Sequence, residues 1–294
     1  MKVLNFGSLN LDYVYQVDHM VGPGETLASA QLDTFSGGKG LNQSIALAKA
    51  GAQVYHAGCI GEDGHMLRHV LDSQGVKTDY VKTLPMKTGH AIIQVDKSGQ
   101  NCILLYGGAN RAVTEGYIDE VLTDFGAGDI LLLQNEINLL DYIIDRAYEK
   151  GMTIILNPSP YDENLKVCDF GKISFLLINE VEGFQITGSS EPEEILKTLR
   201  QRYPAAKIVL TLGCRGCIYQ HGTRQLYQDA YKVEAVDTTA AGDTFTGYFI
   251  ASILEGMDAA AGLDLAAKAS AIAVTRHGAA PSIPLRSEVL EYQL

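Results

Sequence analysis

Basic residues are scarce in this chain of 294 residues: 23 Lys and Arg stand against 35 Asp and Glu, a formal net charge of -12. That balance excludes nucleic acid as a main partner, because a phosphate backbone needs clustered cations. Long apolar runs are missing as well, and none reaches the length of a membrane span, so no membrane partner is expected. The opening MKVLNFGSLN reads as a first strand rather than a targeting segment, and the expected compartment is the cytoplasm. Cysteines number five, an odd count without framework spacing, which fits a reducing environment. Cys214 and Cys217 form a C-x-x-C, but no second such pair and no nearby pair of histidines completes four zinc ligands. His65 and His69 lie four apart without the glutamate of H-E-x-x-H, so they read as surface residues. There is no Walker A and no G-x-G-x-x-G, which disfavours P-loop and Rossmann sites. Linkers, repeats and low-complexity tracts are also absent.

What the chain does have is alternation. Apolar runs such as KVLNFG, QVYHAGCIG, DILLLQ, TIILNP, ISFLLIN and KIVLTLG take turns with amphipathic stretches that end in glycine. Strands lacking polar alternation, separated by helices, predict a mostly parallel sheet covered on both faces, a three-layer α/β/α fold. Two segments break the pattern. Residues 11–36 alternate like a strand pair with a turn at GPGE, and residues 88–107 read as a hairpin turning at Lys97, Ser98 and Gly99. They predict a small antiparallel sheet beside the main one, with Ile92, Ile103 and Leu105 on an apolar outer face.

Polar clusters fall at strand ends, where ligands sit in such sheets. Asn10 and Asp12 follow the first strand. Gly37, Gly38, Lys39, Gly40 and Asn42 open the first helix. Glu136 follows DILLLQ, Asn179 and Glu182 follow ISFLLI, and Thr211 and Gly213 end KIVLTLG. The stretch AVDTTAAGDTFTG, Ala235 to Gly247, is expected to leave a further strand and open a helix. Its residues suit an N-cap, with Asp243 in the first turn. They equally suit an anion site, where small residues let oxygens approach free N–H groups. Local sequence leaves both readings open.

Taken together, GSLNLDYV, GGKGLNQ, GGAN, LLQNE, LNPSP, INEVE, TLGCRG, VDTTAAGDTFTG and AIAVTRHGAAPSIP resemble the ribokinase-like (PfkB) family of carbohydrate kinases over essentially the whole chain. The resemblance implies one kinase domain over residues 1–294, with segments 11–36 and 88–107 as a β lid. It implies transfer of the γ-phosphoryl of ATP to a sugar's primary hydroxyl, D-ribose being the leading candidate. Another sugar or nucleoside, or a silent sugar-binding regulator, is the alternative. Asp243 matches the family's base, and Ala240, Ala241 and Gly242 its anion hole. Asn10, Asp12, Gly38, Lys39, Asn42, Glu136 and Asp243 match sugar-binding positions. Asn179, Thr211, Gly213, Gly216 and Gly242 match the ATP site. Asn179 and Glu182 match a magnesium-water site. Asp237, Thr239, Ala273, Arg276, Gly278 and Ser282 match a monovalent-cation site for potassium. The apolar outer face expected for the small sheet predicts a homodimer through the lid sheet. One position departs from the family pattern: Ala267 stands where an asparagine near the adenine is common.

Overall fold

The computed structural model describes residues 1–292. Nine strands form the main sheet: β1 (Val3–Phe6), β4 (Val54–Gly61), β5 (Lys77–Leu84), β8 (Ile130–Gln134), β9 (Thr153–Asn157), β10 (Phe175–Asn179), β11 (Lys207–Thr211), β12 (Cys217–His221) and β13 (Arg224–Gln228). Their order is β13-β12-β11-β10-β9-β8-β1-β4-β5. The seven strands from β5 to β11 run parallel. The β12–β13 hairpin closes one edge antiparallel.

The expected strands are apolar throughout because both faces are covered. Val3, Ile130, Leu132, Ile155, Leu177 and Val209 point into one core. Their chain neighbours Leu4, Leu131, Leu133, Ile154, Leu176 and Leu210 point into the other, as period-2 geometry requires. The first core is closed by α1 (Lys39–Lys49), α2 (His65–Ser73), α7 (Ala241–Leu254), α8 (Ala259–Val274) and α9 (Arg286–Glu291). The second is closed by α3 (Glu115–Leu122), α4 (Leu140–Glu149) and α6 (Pro192–Arg202). Between them α5 (Glu180–Thr187) starts directly from β10.

Chain order reverses between β1 and β8: the chain first adds β4 and β5 on one side of β1, then returns to build the other side. Crevices for ligands open at such a switch point, outside the carboxyl ends of the strands.

The lid is a four-stranded sheet, β3-β2-β6-β7, made of β2 (Asn10–Gln16), β3 (Gln31–Gly37), β6 (Gly89–Val95) and β7 (Asn101–Tyr106). Its strands overlap the expected segments 11–36 and 88–107, with Asn10 and Gly37 one residue outside the first, and it is antiparallel at two of its three seams. The central β2–β6 seam is parallel. The reason is topological: β2 continues from β1 and β6 from β5, and those strands leave the main sheet in the same direction.

Pairing also corrects the expected outer face. Ile92 pairs with Leu104, whereas Ile103 and Leu105 pair with Ile93 and Ala91, on the opposite face. Phe35, Ile103 and Leu105 share the face of Asp12, and Leu32, Ile92 and Leu104 lie on the other. All six are exposed. A second correction concerns the strand expected before Asp237. Residues 229–240 are irregular, because β13 is the outermost strand and the chain must cross from that edge to α7, with no sheet partner on the way.

Candidate active site

Helix α1 begins at the switch point, pressed against the turn that leaves β1. A Cβ on Gly40 would stand 2.4 Å from the Ser8 backbone nitrogen, and Gly38 has φ 95, so glycine is required at both. The carboxylate of Glu136, just past β8, accepts a bond from the Lys39 N–H (2.9 Å) and another from the Ser8 hydroxyl. It thereby ties the start of α1 to both central strands. Asn110, after β7, imitates a strand partner: its Oδ1 accepts from the Leu9 N–H (3.0 Å) while its Nδ2 donates to Leu9 O (3.2 Å) and to Asn10 Oδ1 (2.7 Å). Asn10 is thus fixed and buried. Asp12 is two residues on, and burial beside the Glu136 charge pushes its carboxyl up to about 7.

Helices α1 and α7 cross closely. A Cβ on Gly247 would lie 2.4 Å from the Ala46 Cβ. One turn earlier on each helix stand Asn42 and Asp243. Asp243 is buried. Asn42 Nδ2 donates to its Oδ2 (3.0 Å), and Gln43 Nε2 donates to its Oδ1 (2.9 Å). The residue before α7, Ala240, has φ 59, a left-handed conformation that costs a non-glycine residue roughly 1–2 kcal/mol. Ala241, whose N–H donates to Thr238 O (3.3 Å), and Gly242 then line two adjoining cavities.

The larger cavity, about 310 Å³, runs from Thr211, Gly213 and Gly216 to Ala267, Ala271 and Val274. No amide and no charged side chain lines it. The smaller, about 230 Å³, is lined by Lys39, Asn157, Asn179, Glu182 and Asp243. Both share Thr211, Thr238, Ala241 and Gly242 as walls. Burial alone would lower the Lys39 ammonium, but the charges of Asp243, Glu136 and Glu182 outweigh it and hold the group above its ordinary value. Lys39 therefore links the Glu136 neighbourhood to the Asp243 cavity.

Asn179 and Glu182 are in reciprocal use at the start of α5. Asn179 Oδ1 accepts from the N–H groups of Val181 (2.8 Å) and Glu182 (3.0 Å), while Glu182 Oε2 accepts from the Asn179 N–H (2.8 Å). This is a capping box, and it presents the acid to the smaller cavity.

Asp237 clasps two loops. Its Oδ1 accepts from the Thr239 N–H and its Oδ2 from the Gly278 N–H, both at 2.9 Å. Burial pushes its carboxyl up, but these two donors and His277 prevail and hold it below the usual range. Arg276 and Ser282 belong to the same clasped loop. The Arg276 side chain pairs with Glu288 at 2.7 Å, and its N–H donates to Ala273 O (3.1 Å). Ser282 is fully buried and donates to Ala279 O (2.7 Å).

Cys217 is buried, its thiol pushed up to about 12, whereas Cys214 is exposed on the rim of the larger cavity. Both are free. His65 and His69 face solvent on α2.

Sequence reasoning missed the residues behind the acid: Gln43, Asn157, Gln134 and Asn5. The signal for Asn5 was a polar residue inside an apolar strand and for Gln134 and Asn157 a polar residue closing one, whereas Gln43 sits on helix α1 without such a mark.

A doubly covered parallel sheet, with an apolar cavity and an acid-bearing cavity meeting at one helix N-terminus, defines a small-molecule phosphotransferase. The chain belongs to the pfkB family of carbohydrate kinases, whose model matches residues 1–286. It is 34% identical to a ribokinase of Haemophilus influenzae over 97% of this chain and 96% of that protein. Among solved structures it is similar to the Arabidopsis thaliana ribokinase complexed with ribose and ATP, with TM-score 0.90, 30% identity and 99% of each chain covered. It is also similar to the Cryptococcus neoformans ribokinase in complex with ADP, with TM-score 0.87, 32% identity and 99% of each chain covered.

Proposed function

We propose that the protein transfers the γ-phosphoryl of ATP to the primary hydroxyl of D-ribose, giving ribose 5-phosphate. The observation that carries this reading is Asp243, a buried carboxylate held by two amides in the first turn of α7, at a helix start that lines both cavities. Similarity to ribokinases over almost the whole chain supports the choice of sugar.

In this reading ATP lies with its base in the apolar cavity, along Thr211, Gly213 and Gly216, and its phosphates reach α7. Asp243 takes the hydroxyl proton as the sugar oxygen attacks the phosphorus. The N–H groups of Ala240, Ala241 and Gly242 receive the charge that develops on the transferred group, Ala241 exchanging its bond to Thr238 O for one to the phosphoryl oxygen. Asn10, Asp12, Gly38, Lys39, Asn42 and Glu136 orient the sugar, with Lys39 also balancing the acids around it. The lid swings over this edge and excludes water.

Asn179 and Glu182 suit a magnesium ion held mainly through water: Glu182 keeps a carboxylate face toward the cavity while its cap bond fixes its direction. When bound, the ion neutralises phosphate charge. Asp237 and the oxygens of Thr239, Ala273, Arg276, Gly278 and Ser282 suit a potassium ion, since the clasp already brings the two loops together. The exposed apolar residues of the lid fit a homodimer through that sheet.

A panel of pentoses, hexoses and nucleosides with ATP tests the reading. Ribose should give the highest kcat/KM, Asp243→Asn should lose turnover by orders of magnitude, and potassium should exceed sodium at equal ionic strength. Undiminished turnover in Asp243→Asn would refute the assignment of the base.

A further inference from the structure

Behind Asp243 lies a buried set of side-chain amides. Gln43, on α1, spends both its N–H groups outward: one on Asp243 Oδ1 (2.9 Å), the other on Asn157 Oδ1 (3.0 Å). Its own oxygen accepts from Gln134 Nε2 (2.7 Å). The second N–H of Gln134 goes to Asn5 Oδ1 (2.9 Å). Asn5 in turn donates to Gly40 O (2.7 Å) and to Ser44 Oγ (2.8 Å), back on α1. Asn5, Gln134 and Asn157 sit on β1, β8 and β9, three adjacent strands beside the switch point. Gln43, Gln134 and Asn5 are fully buried.

The direction of these bonds is forced. A carboxylate only accepts, so Gln43 must present its NH2 end to Asp243 and its oxygen to the strands. Gln134 must then donate to that oxygen. Asn157 is pinned separately, by donating to Leu177 O (2.9 Å). This orientation of Gln43 uses both its N–H groups and its oxygen, and turning the amide over would set its oxygen against the Asp243 carboxylate and its NH2 against that of Gln134. Among the described residues, Gln134 Oε1 is left without a partner. Packing alone does not require an amide at this position of α1, since Leu or Met would fill about the same space.

We propose that Gln43 is a positioning residue for Asp243, its own orientation set by Gln134 and Asn5. This rests on the reading of Asp243 as the base. The three strands thereby fix one oxygen of the carboxylate through Gln43, while Asn42 holds the other.

The test is steady-state and single-turnover kinetics on Gln43→Met and Gln134→Met, each alone and combined with Asp243→Asn. Loss of base alignment should lower kcat about 10²-fold in Gln43→Met, with KM for ribose and ATP within about threefold, because misplacement is felt at the chemical step. Gln134→Met, one bond further away, should lose about tenfold in the same way. Neither should reduce the residual rate of Asp243→Asn further, since each acts through the carboxylate. Equal losses in the presence and absence of Asp243 would show a merely structural role and overturn the proposal. A loss confined to KM would do the same. Should Gln43→Met fail to fold, Gln134→Met decides alone. Asp243→Asn with parental turnover would overturn the reading of the base itself, and single mutants without effect beside an inactive Asp243→Asn would overturn only the positioning role.

Discussion

Asp12 carries a cost that can be measured. Its carboxyl ionises at about 7 in the folded chain against an ordinary 3.8, because it is buried near Glu136. Between those values the folded state holds a proton that the unfolded state has lost. Stability is therefore lost as pH rises from about 4 to about 7, and the penalty is full above pH 7. Asp12→Asn should stabilise the protein at pH 8 by roughly 1–2 kcal/mol, after allowance for partial exposure, and weaken ribose binding. Thermal denaturation at pH 8 and pH 4 checks this, with the gain expected at pH 8 only. Ala267 concerns the other substrate. If the base lies in the larger cavity as proposed, it meets hydroxyls of Thr211, Tyr231, Thr238 and Ser270 but no side-chain amide, so discrimination between purines should be weak. ATP and GTP should support rates within about tenfold of each other, and Ala267→Asn should widen the gap by supplying a polar edge. Competing-nucleotide assays report that ratio directly.

At the scale of elements, the contact between α1 and α7 sets the distance from Asn42 and Gln43 to Asp243. Gly247→Val would force Ala46 and its helix outward, since even a Cβ does not fit. Turnover should fall more than tenfold, with a loss of about 1–3 kcal/mol in stability from overpacking. Chemical denaturation and kinetics on one preparation separate the two effects. This contact also shows what local sequence can reveal. GGKG and AAGD are legible because close approach and helix starts demand particular small residues at particular places. The strand ends were legible because apolar runs stop there. Gln43 and Gln134 were not, since their meaning lies in partners more than 90 residues away. The β12–β13 hairpin was hidden too: it pairs antiparallel at an edge, so its residues need not follow the apolar pattern of the buried strands.

For the whole molecule, the lid is the exposed part. Every residue of β7 is exposed, and four of its six are Ile103, Leu104, Leu105 and Tyr106. An apolar edge of that kind invites a partner strand or sheet. The protein should sediment as a dimer at micromolar concentration, and Leu104→Glu should shift it to monomer with the main sheet intact. A parent that sediments as monomer would count against the dimer. The grip on Asp243 has a different consequence, in time rather than space. Asn42 and Gln43 precede the acid by 201 and 200 residues. At roughly 5–20 residues per second, a ribosome completes α1 about 10–40 s before it delivers α7. Throughout that interval the nascent chain has the two amides and not the carboxylate they hold. The face of α1 around Ala46 stays uncovered for as long, so this core can close only after most of the chain has been made.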